Sequence, residues 1–172
     1  MSSSESACID FDLADTAATE ALGAALSRAL APGLAIWLEG DLGAGKTTLT
    51  RGVLRALGHT GKVKSPTFTL LESYAISSLN FPLYHFDFYR FVHPDEFIEA
   101  GLDEYFGRRG ADAPVCLVEW PDKAGRHLPP PDLRIALAVV GEARCARLSA
   151  CSEGGRACLN RLSQTEPPRG TA

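Results

Sequence analysis

Gly40-Asp41-Leu42-Gly43-Ala44-Gly45-Lys46-Thr47 carries the spacing G-x-x-x-x-G-K-[ST], the pattern of a loop that cradles phosphate. Glycines at 40, 43 and 45 let the backbone turn tightly, so that the N–H groups of the turn, Ala44 included, aim at one point in front of the next helix. An anion there meets both the donors and the positive helix end. Lys46 is placed to reach the β- and γ-phosphates of a nucleotide. The Thr47 hydroxyl is a hard oxygen suited to Mg²⁺, and Thr48 can hold an α-phosphate oxygen.

Hydrolysis or transfer also needs an acid to fix Mg²⁺ or to orient the attacking oxygen, and such an acid normally comes from the end of a neighbouring strand. Two positions qualify. Glu119 ends the apolar run Val115-Cys-Leu-Val118, and Asp87 ends Tyr84-His-Phe86. The spacing alone leaves open which of them touches the metal, and it also allows Asp87 to cap a turn or pair with Arg90. Arg90 itself reads as structural or as a charge stabiliser facing phosphate. Trp120, directly after Glu119, reads as a core or rim aromatic that, beside a nucleotide, could also pack against it. His85 and His93 lack partners at metal-ligand spacing and read as core or surface residues. Lys64-Ser-Pro-Thr-Phe68 lies where nucleotide switches carry a loop whose hydroxyl senses the γ-phosphate. That leaves Ser65 or Thr67 as a sensor, or a plain Ser-Pro turn.

The elements that must hold these residues follow from periodicity. Cys8 to Leu13 predicts a strand, and Asp15-Thr16 caps an alanine- and leucine-rich helix ending near Ala31-Pro32-Gly33. Leu34 to Leu38 is a continuous apolar run, as for a strand buried on both faces, and it delivers the glycine-rich turn at its carboxyl end, where open α/β sheets bind ligands. Thr48 to Leu57 has helical spacing, with Gly58 as the stop. Strands are predicted over Leu70 to Ala75 and Pro82 to Asp87, joined by a turn at Ser77 to Asn80. A short helix is predicted from Pro94 to about Gly101, with a further helical turn over Glu104 to Phe106. Val115 to Val118 is the second fully apolar strand. Asp132 to Val140 and Ala143 to Ala150 form a terminal hairpin around Gly141-Glu142. The pattern predicts an α/β fold with a mostly parallel sheet flanked by helices, antiparallel strands and a C-terminal hairpin. Residues 1–152 are expected to form one domain, and 153–172, poor in large apolar residues, a disordered tail.

The 172 residues suit one domain with a substantial core. A formal net charge of −4 at pH 7 argues against a broad nucleic-acid-binding face, because the main affinity term for phosphate backbones needs a basic stripe. No apolar run approaches a membrane span, and Met-Ser-Ser-Ser-Glu-Ser has neither the basic nor the apolar region of a signal peptide, so a cytoplasmic location is expected. The five scattered cysteines include no C-x-x-C pair and read as free thiols.

Taken together, Glu39-Gly-Asp-Leu-Gly-Ala-Gly-Lys-Thr-Thr48, Lys64-Ser-Pro-Thr-Phe-Thr69, His85-Phe-Asp-Phe-Tyr-Arg90 and Leu117-Val-Glu-Trp-Pro121 resemble, in order and spacing, the TsaE (YjeE) family of bacterial P-loop ATPases. The resemblance covers about residues 8 to 150. It implies ATP binding and slow hydrolysis in support of TsaB and TsaD, which transfer threonylcarbamoyl to adenosine 37 of tRNAs reading ANN codons, so that tRNA is met through the assembly. It further implies that Lys46 holds phosphate, that Thr47 and Glu119 serve Mg²⁺, that Asp87 assists the metal or its water, and that Thr67 and Trp120 sit at the nucleotide rim. Two readings from other classes compete: a P-loop small-molecule kinase, which would need an arginine-bearing lid, and a nucleotide-dependent interaction protein whose hydrolysis is incidental.

Overall fold

The computed structural model describes residues 7–165. Seven strands form one sheet in the order β1-β7-β6-β2-β5-β4-β3. They are β1 (Cys8–Leu13), β2 (Ala35–Glu39), β3 (Leu71–Tyr74), β4 (Leu83–Asp87), β5 (Val115–Glu119), β6 (Leu133–Val140) and β7 (Ala143–Ala150). The central four, β6-β2-β5-β4, run parallel. Antiparallel strands flank them, β7 and β1 on one side and β3 on the other. The mostly parallel sheet with a C-terminal hairpin is as the sequence predicted, and every predicted strand is present.

The helices are α1 (Thr16–Ser27), α2 (Lys46–Ala56), α3 (Glu96–Glu99) and α4 (Glu153–Gln164). Asp15 caps α1 through its carboxylate, which accepts the Ala18 N–H at 2.8 Å, so the chain turns sharply into the helix. On one face of the sheet, α1 and α2 bury Leu22, Leu26, Leu49, Val53 and Leu54 against Ile36, Leu38, Leu117 and Ile135. The two helices cross closely because glycines meet at the crossing: a Cβ on Gly52 would overlap the Glu20 carbonyl, and one on Gly23 the Leu49 carbonyl. The other face is covered by an aromatic layer of Phe86, Phe88, Phe91 and Phe97 with Val118 and Leu128.

The chain after residue 152 corrects the expectation of a disordered tail. Glu153–Gln164 is a helix whose Cys158, Leu159 and Leu162 belong to the main core. Ser152 caps it, accepting the Gly155 N–H at 3.1 Å, and donates in turn to Asp132 at 2.6 Å. Arg161 donates two hydrogen bonds to the Ala29 carbonyl. Two glycines in the first turn lower intrinsic helix propensity by about 1 kcal/mol each, so composition alone pointed the other way, and docking decides the outcome. The remaining part of the expected tail, 166–172, lies outside the described residues.

Candidate functional site

The strand β2 ends at Glu39, and the chain must reverse into α2 within six residues. Gly40 sits at φ 145° against the Leu137 carbonyl, which a Cβ would overlap, while Gly43 and Gly45 take left-handed φ values of 81° and 107°. Gly45 is the residue before α2 and no side chain caps the helix, so its first N–H groups, which lack intrahelical partners, are left to an external acceptor. The resulting turn opens into a cleft lined by Gly43, Gly45, Lys46, Thr47 and Thr48, by Ser65 and Thr67, and by Asp87, Tyr89, Glu119 and Trp120. Gly40 and Ala44 do not line it. The Gly40 carbonyl accepts from Lys46, and Ala44 is buried beneath the turn with its N–H bonded to the Asp41 carbonyl at 3.0 Å.

Lys46 folds over the turn, donating from Nζ to the carbonyls of Gly40 at 2.5 Å and Asp41 at 2.9 Å. Burial lowers its pKa from the ordinary lysine value, and the carboxylates of Glu119, Asp87, Asp41 and Asp122 oppose that shift. The ammonium also stands 4.4 Å from the centre of the Trp120 ring, within cation–π range. For a desolvated cation on neutral carbonyl acceptors, a phosphate oxygen would be a stronger, charge-assisted partner.

Both acids emerge at this edge. Asp87 and Glu119 are register partners at the ends of parallel strands β4 and β5, and each is at most 3% exposed. Thr47 donates to Glu119 Oε1 at 2.9 Å. Asp87 Oδ2 accepts from the hydroxyls of Ser65 and, at 3.0 Å, Thr67, and Oδ1 accepts the Tyr89 N–H at 2.8 Å. The Ser65–Thr67 segment is thereby tied to the acid. A hydroxyl flanked by two carboxylates is the donor set that suits Mg²⁺, which takes one or two carboxylates and completes its octahedron with phosphate and water oxygens. Among the described residues no three His, Cys, Asp or Glu side chains cluster as a self-sufficient metal cage. A phosphate-linked Mg²⁺ does not require one.

Two non-glycine residues among those described have positive φ, and both flank the cleft: Leu70 at 66° and Trp120 at 57°. Leu70 closes the 65–69 loop, its N–H bonded to the Pro66 carbonyl and its carbonyl accepting the Asp87 N–H. Trp120 projects its ring over the cleft, 5.0 Å from Tyr89. Held conformations of this kind cost about 1–3 kcal/mol and cluster at functional sites.

For Arg90 and His85 the structure decides between the alternatives. Arg90 pairs with neither Asp87 nor the cleft; its guanidinium lies 4.2 Å from the centre of the exposed Phe68 ring. His85 is in the core, as one reading had it, but its Nε2 lies 2.8 Å from Glu119 Oε1. Alternation along β4 carried the signal, since His85 and Asp87 two residues apart face the same side. Tyr89, unassigned by spacing, also lines the cleft.

The family model described as "Threonylcarbamoyl adenosine biosynthesis protein TsaE" matches residues 13–147. This chain belongs to the TsaE family. Two relatives, each named tRNA threonylcarbamoyladenosine biosynthesis protein TsaE, support the assignment. The one from Haemophilus influenzae is 41% identical over 128 residues, 74% of this chain and 77% of the relative. That from Bacillus subtilis is 45% identical over 128 residues, 74% of each. The crystal structure of Bacillus subtilis YdiB superposes with a TM-score of 0.77 at 33% identity, covering 94% of this chain and 98% of the other. The TsaE match spans every cleft residue named above, from Gly43 to Trp120.

Proposed function

We propose that this protein binds ATP with Mg²⁺ in the cleft at the Gly40–Thr48 turn, hydrolyses it slowly, and so serves threonylcarbamoyl modification of adenosine 37 in tRNAs reading ANN codons. It does so in the cytoplasm with TsaB and TsaD proteins, and meets tRNA through that assembly. Membership of the TsaE family supports the role in tRNA modification. The observation that carries the nucleotide chemistry is the bond from Thr47, at the start of α2, to Glu119, at the end of β5, which joins the phosphate cradle to an acid at one sheet edge.

In this reading Lys46 leaves the Gly40 and Asp41 carbonyls for the β- and γ-phosphates, and the α2 N-terminus holds the phosphate oxygens. Mg²⁺, held by Thr47 with Glu119 and Asp87, would neutralise charge on those phosphates. Glu119 or Asp87 orients a water whose oxygen bonds to the γ-phosphorus as the bond to the β-phosphate oxygen breaks; ADP leaves with the bonding pair and the water's proton passes to the released phosphate. Ser65 and Thr67, now on Asp87, are positioned to trade that partner for the γ-phosphate, which would couple the nucleotide state to the 65–69 loop. Among the described residues the cleft lining includes no arginine, and Arg144 beside the turn donates to the Gly43 carbonyl, whereas a kinase lid would bring an arginine onto the phosphates. The test is ATP turnover by the purified protein, alone and with TsaB, TsaD and unmodified tRNA. Stimulation by the full set is expected; phosphorylation of a metabolite instead of hydrolysis would overturn the reading.

A further inference from the structure

We infer that His85 is a positioning residue that fixes the Glu119 carboxylate for its work at the Thr47 hydroxyl, an inference that rests on the nucleotide-binding reading above. The side chain of His85 is fully buried beneath α2, on the face of β4 that also carries Leu83 and Asp87. The hydrophobic effect alone would place an apolar residue here, as it does at Leu83, Val115 and Leu117 on the same face. Instead the position holds an imidazole with one nitrogen, Nδ1, that has no hydrogen-bond partner. An unpartnered buried polar atom is destabilising, so packing does not account for the choice of residue. The other nitrogen does: Nε2 meets Glu119 Oε1 at 2.8 Å.

A carboxylate only accepts, so Nε2 carries the proton. Oε1 then receives two donors, the Thr47 hydroxyl and the imidazole N–H, which together hold that oxygen in place. Glu119 Oε2 receives no hydrogen bond from the described residues and is left for the cleft. The Thr47 hydroxyl spends its proton on Oε1, so its oxygen lone pairs are directed elsewhere, as a metal ligand requires. Without the imidazole, Glu119 could rotate about its last torsion, a broad and soft one, and take the Thr47 hydroxyl with it. His85 thus acts through Glu119 and touches neither nucleotide nor metal.

The test compares His85→Gln, whose amide N–H reaches toward the same oxygen, with His85→Met, of similar length but without a donor. The readouts are thermal midpoint, turnover, and binding of a fluorescent non-hydrolysable ATP analogue with and without Mg²⁺. Loss of an orienting partner of this kind costs roughly 10–100-fold. In His85→Met, turnover is expected to fall by that factor, and the tightening of analogue binding caused by Mg²⁺ to shrink by about tenfold, with metal-free binding and the thermal midpoint retained. His85→Gln should regain most of both losses. In a Glu119→Gln background, His85→Met should add little. Met turnover and Mg²⁺-dependent binding at the unsubstituted level would overturn the inference, as would a Gln variant as impaired as Met. If His85→Met fails to fold, a well-folded His85→Gln that has lost the Mg²⁺-dependent tightening overturns it equally. Absence of Mg²⁺-dependent binding in the unsubstituted protein would remove the nucleotide-binding reading and this inference with it, whereas failure of the His85 variants alone leaves that reading standing.

Discussion

Asp87 and Glu119 stand opposite one another at the ends of adjacent parallel strands, yet each is bonded to a different segment of the cleft. Glu119 is held by Thr47 of the phosphate turn and by His85, whereas Asp87 is held by Ser65 and Thr67 of the loop and by the Tyr89 amide. Register fixes the pair: Asp87 pairs with Glu119 just as His85 pairs with Leu117. One acid therefore reports on the cradle and the other on the loop.

That division predicts separable losses. Glu119→Gln removes a charge beside Thr47 and should lower ATP turnover by about 100-fold and shrink the Mg²⁺-dependent part of nucleotide binding, while metal-free nucleotide affinity changes little. Asp87→Asn should also spare affinity, but it weakens the acceptor for two hydroxyls, and limited proteolysis should then find the 65–69 loop more open. Steady-state hydrolysis and equilibrium binding measure the first effect; unchanged hydrolysis in the Glu119 variant would sink its assigned role.

Lys46→Ala should act on binding itself. The ammonium is desolvated at the start of α2, where the proposed function puts the phosphates, so its loss should remove a charge-assisted contact of about 2–4 kcal/mol, or roughly 30- to 1,000-fold in ATP affinity. Titration calorimetry reads this directly, and an affinity within threefold of the unsubstituted protein would exclude Lys46 from phosphate binding.

The sheet and the site were legible in the sequence to different depths. Strands β2 and β5 stand out as uninterrupted apolar runs, and both deliver chemistry at their carboxyl ends, so Lys46, Thr47 and Glu119 were placed correctly at one edge. For His85 the core reading holds, but its contact with Glu119 was not visible, because a histidine amid apolar neighbours looks the same whether it fills space or orients an acid; only the fold brings Glu119, 34 residues away, to its Nε2. The left-handed backbone at Leu70 and Trp120 was equally hidden, since neither residue type favours it. Helix α4 was missed because Gly154 and Gly155 dilute its helical signal, although Cys158, Leu159 and Leu162 already fall on one face.

The docking of α4 predicts that this segment is part of the folded unit. Leu162 is fully buried in the main core, so Leu162→Ala should destabilise the protein by about 2–5 kcal/mol. Arg161→Ala, which strips two donors from the Ala29 carbonyl, should cost about 1–3 kcal/mol. Denaturant unfolding followed by Trp fluorescence gives both values. A chain shortened after Ser152 with an unchanged midpoint would show that the helix contributes nothing.

Thiol chemistry separates the five cysteines by the same burial. Cys8 and Cys151 are exposed and Cys145 half-buried, whereas Cys116 and Cys158 are buried. Burial pushes the Cys116 thiol up to about 12 and the Cys158 thiol up to about 11. The thiolate is the reactive form, so at pH 8 a disulfide reagent should label Cys8 and Cys151 quickly and Cys145 more slowly, and reach Cys116 and Cys158 only on denaturation. The same shifts give stability a sign. Above about pH 9 the unfolded thiols ionise while the folded ones stay protonated, so the unfolded state binds fewer protons and stability falls with rising pH, by up to about 1.4 kcal/mol per unit for each thiol until its folded pKa is reached. Replacing Cys158 with alanine should flatten that alkaline slope between pH 9 and 11 while lowering stability at pH 7, where the lost packing of a buried side chain is felt. An unchanged slope in the variant would show that burial does not hold this thiol protonated.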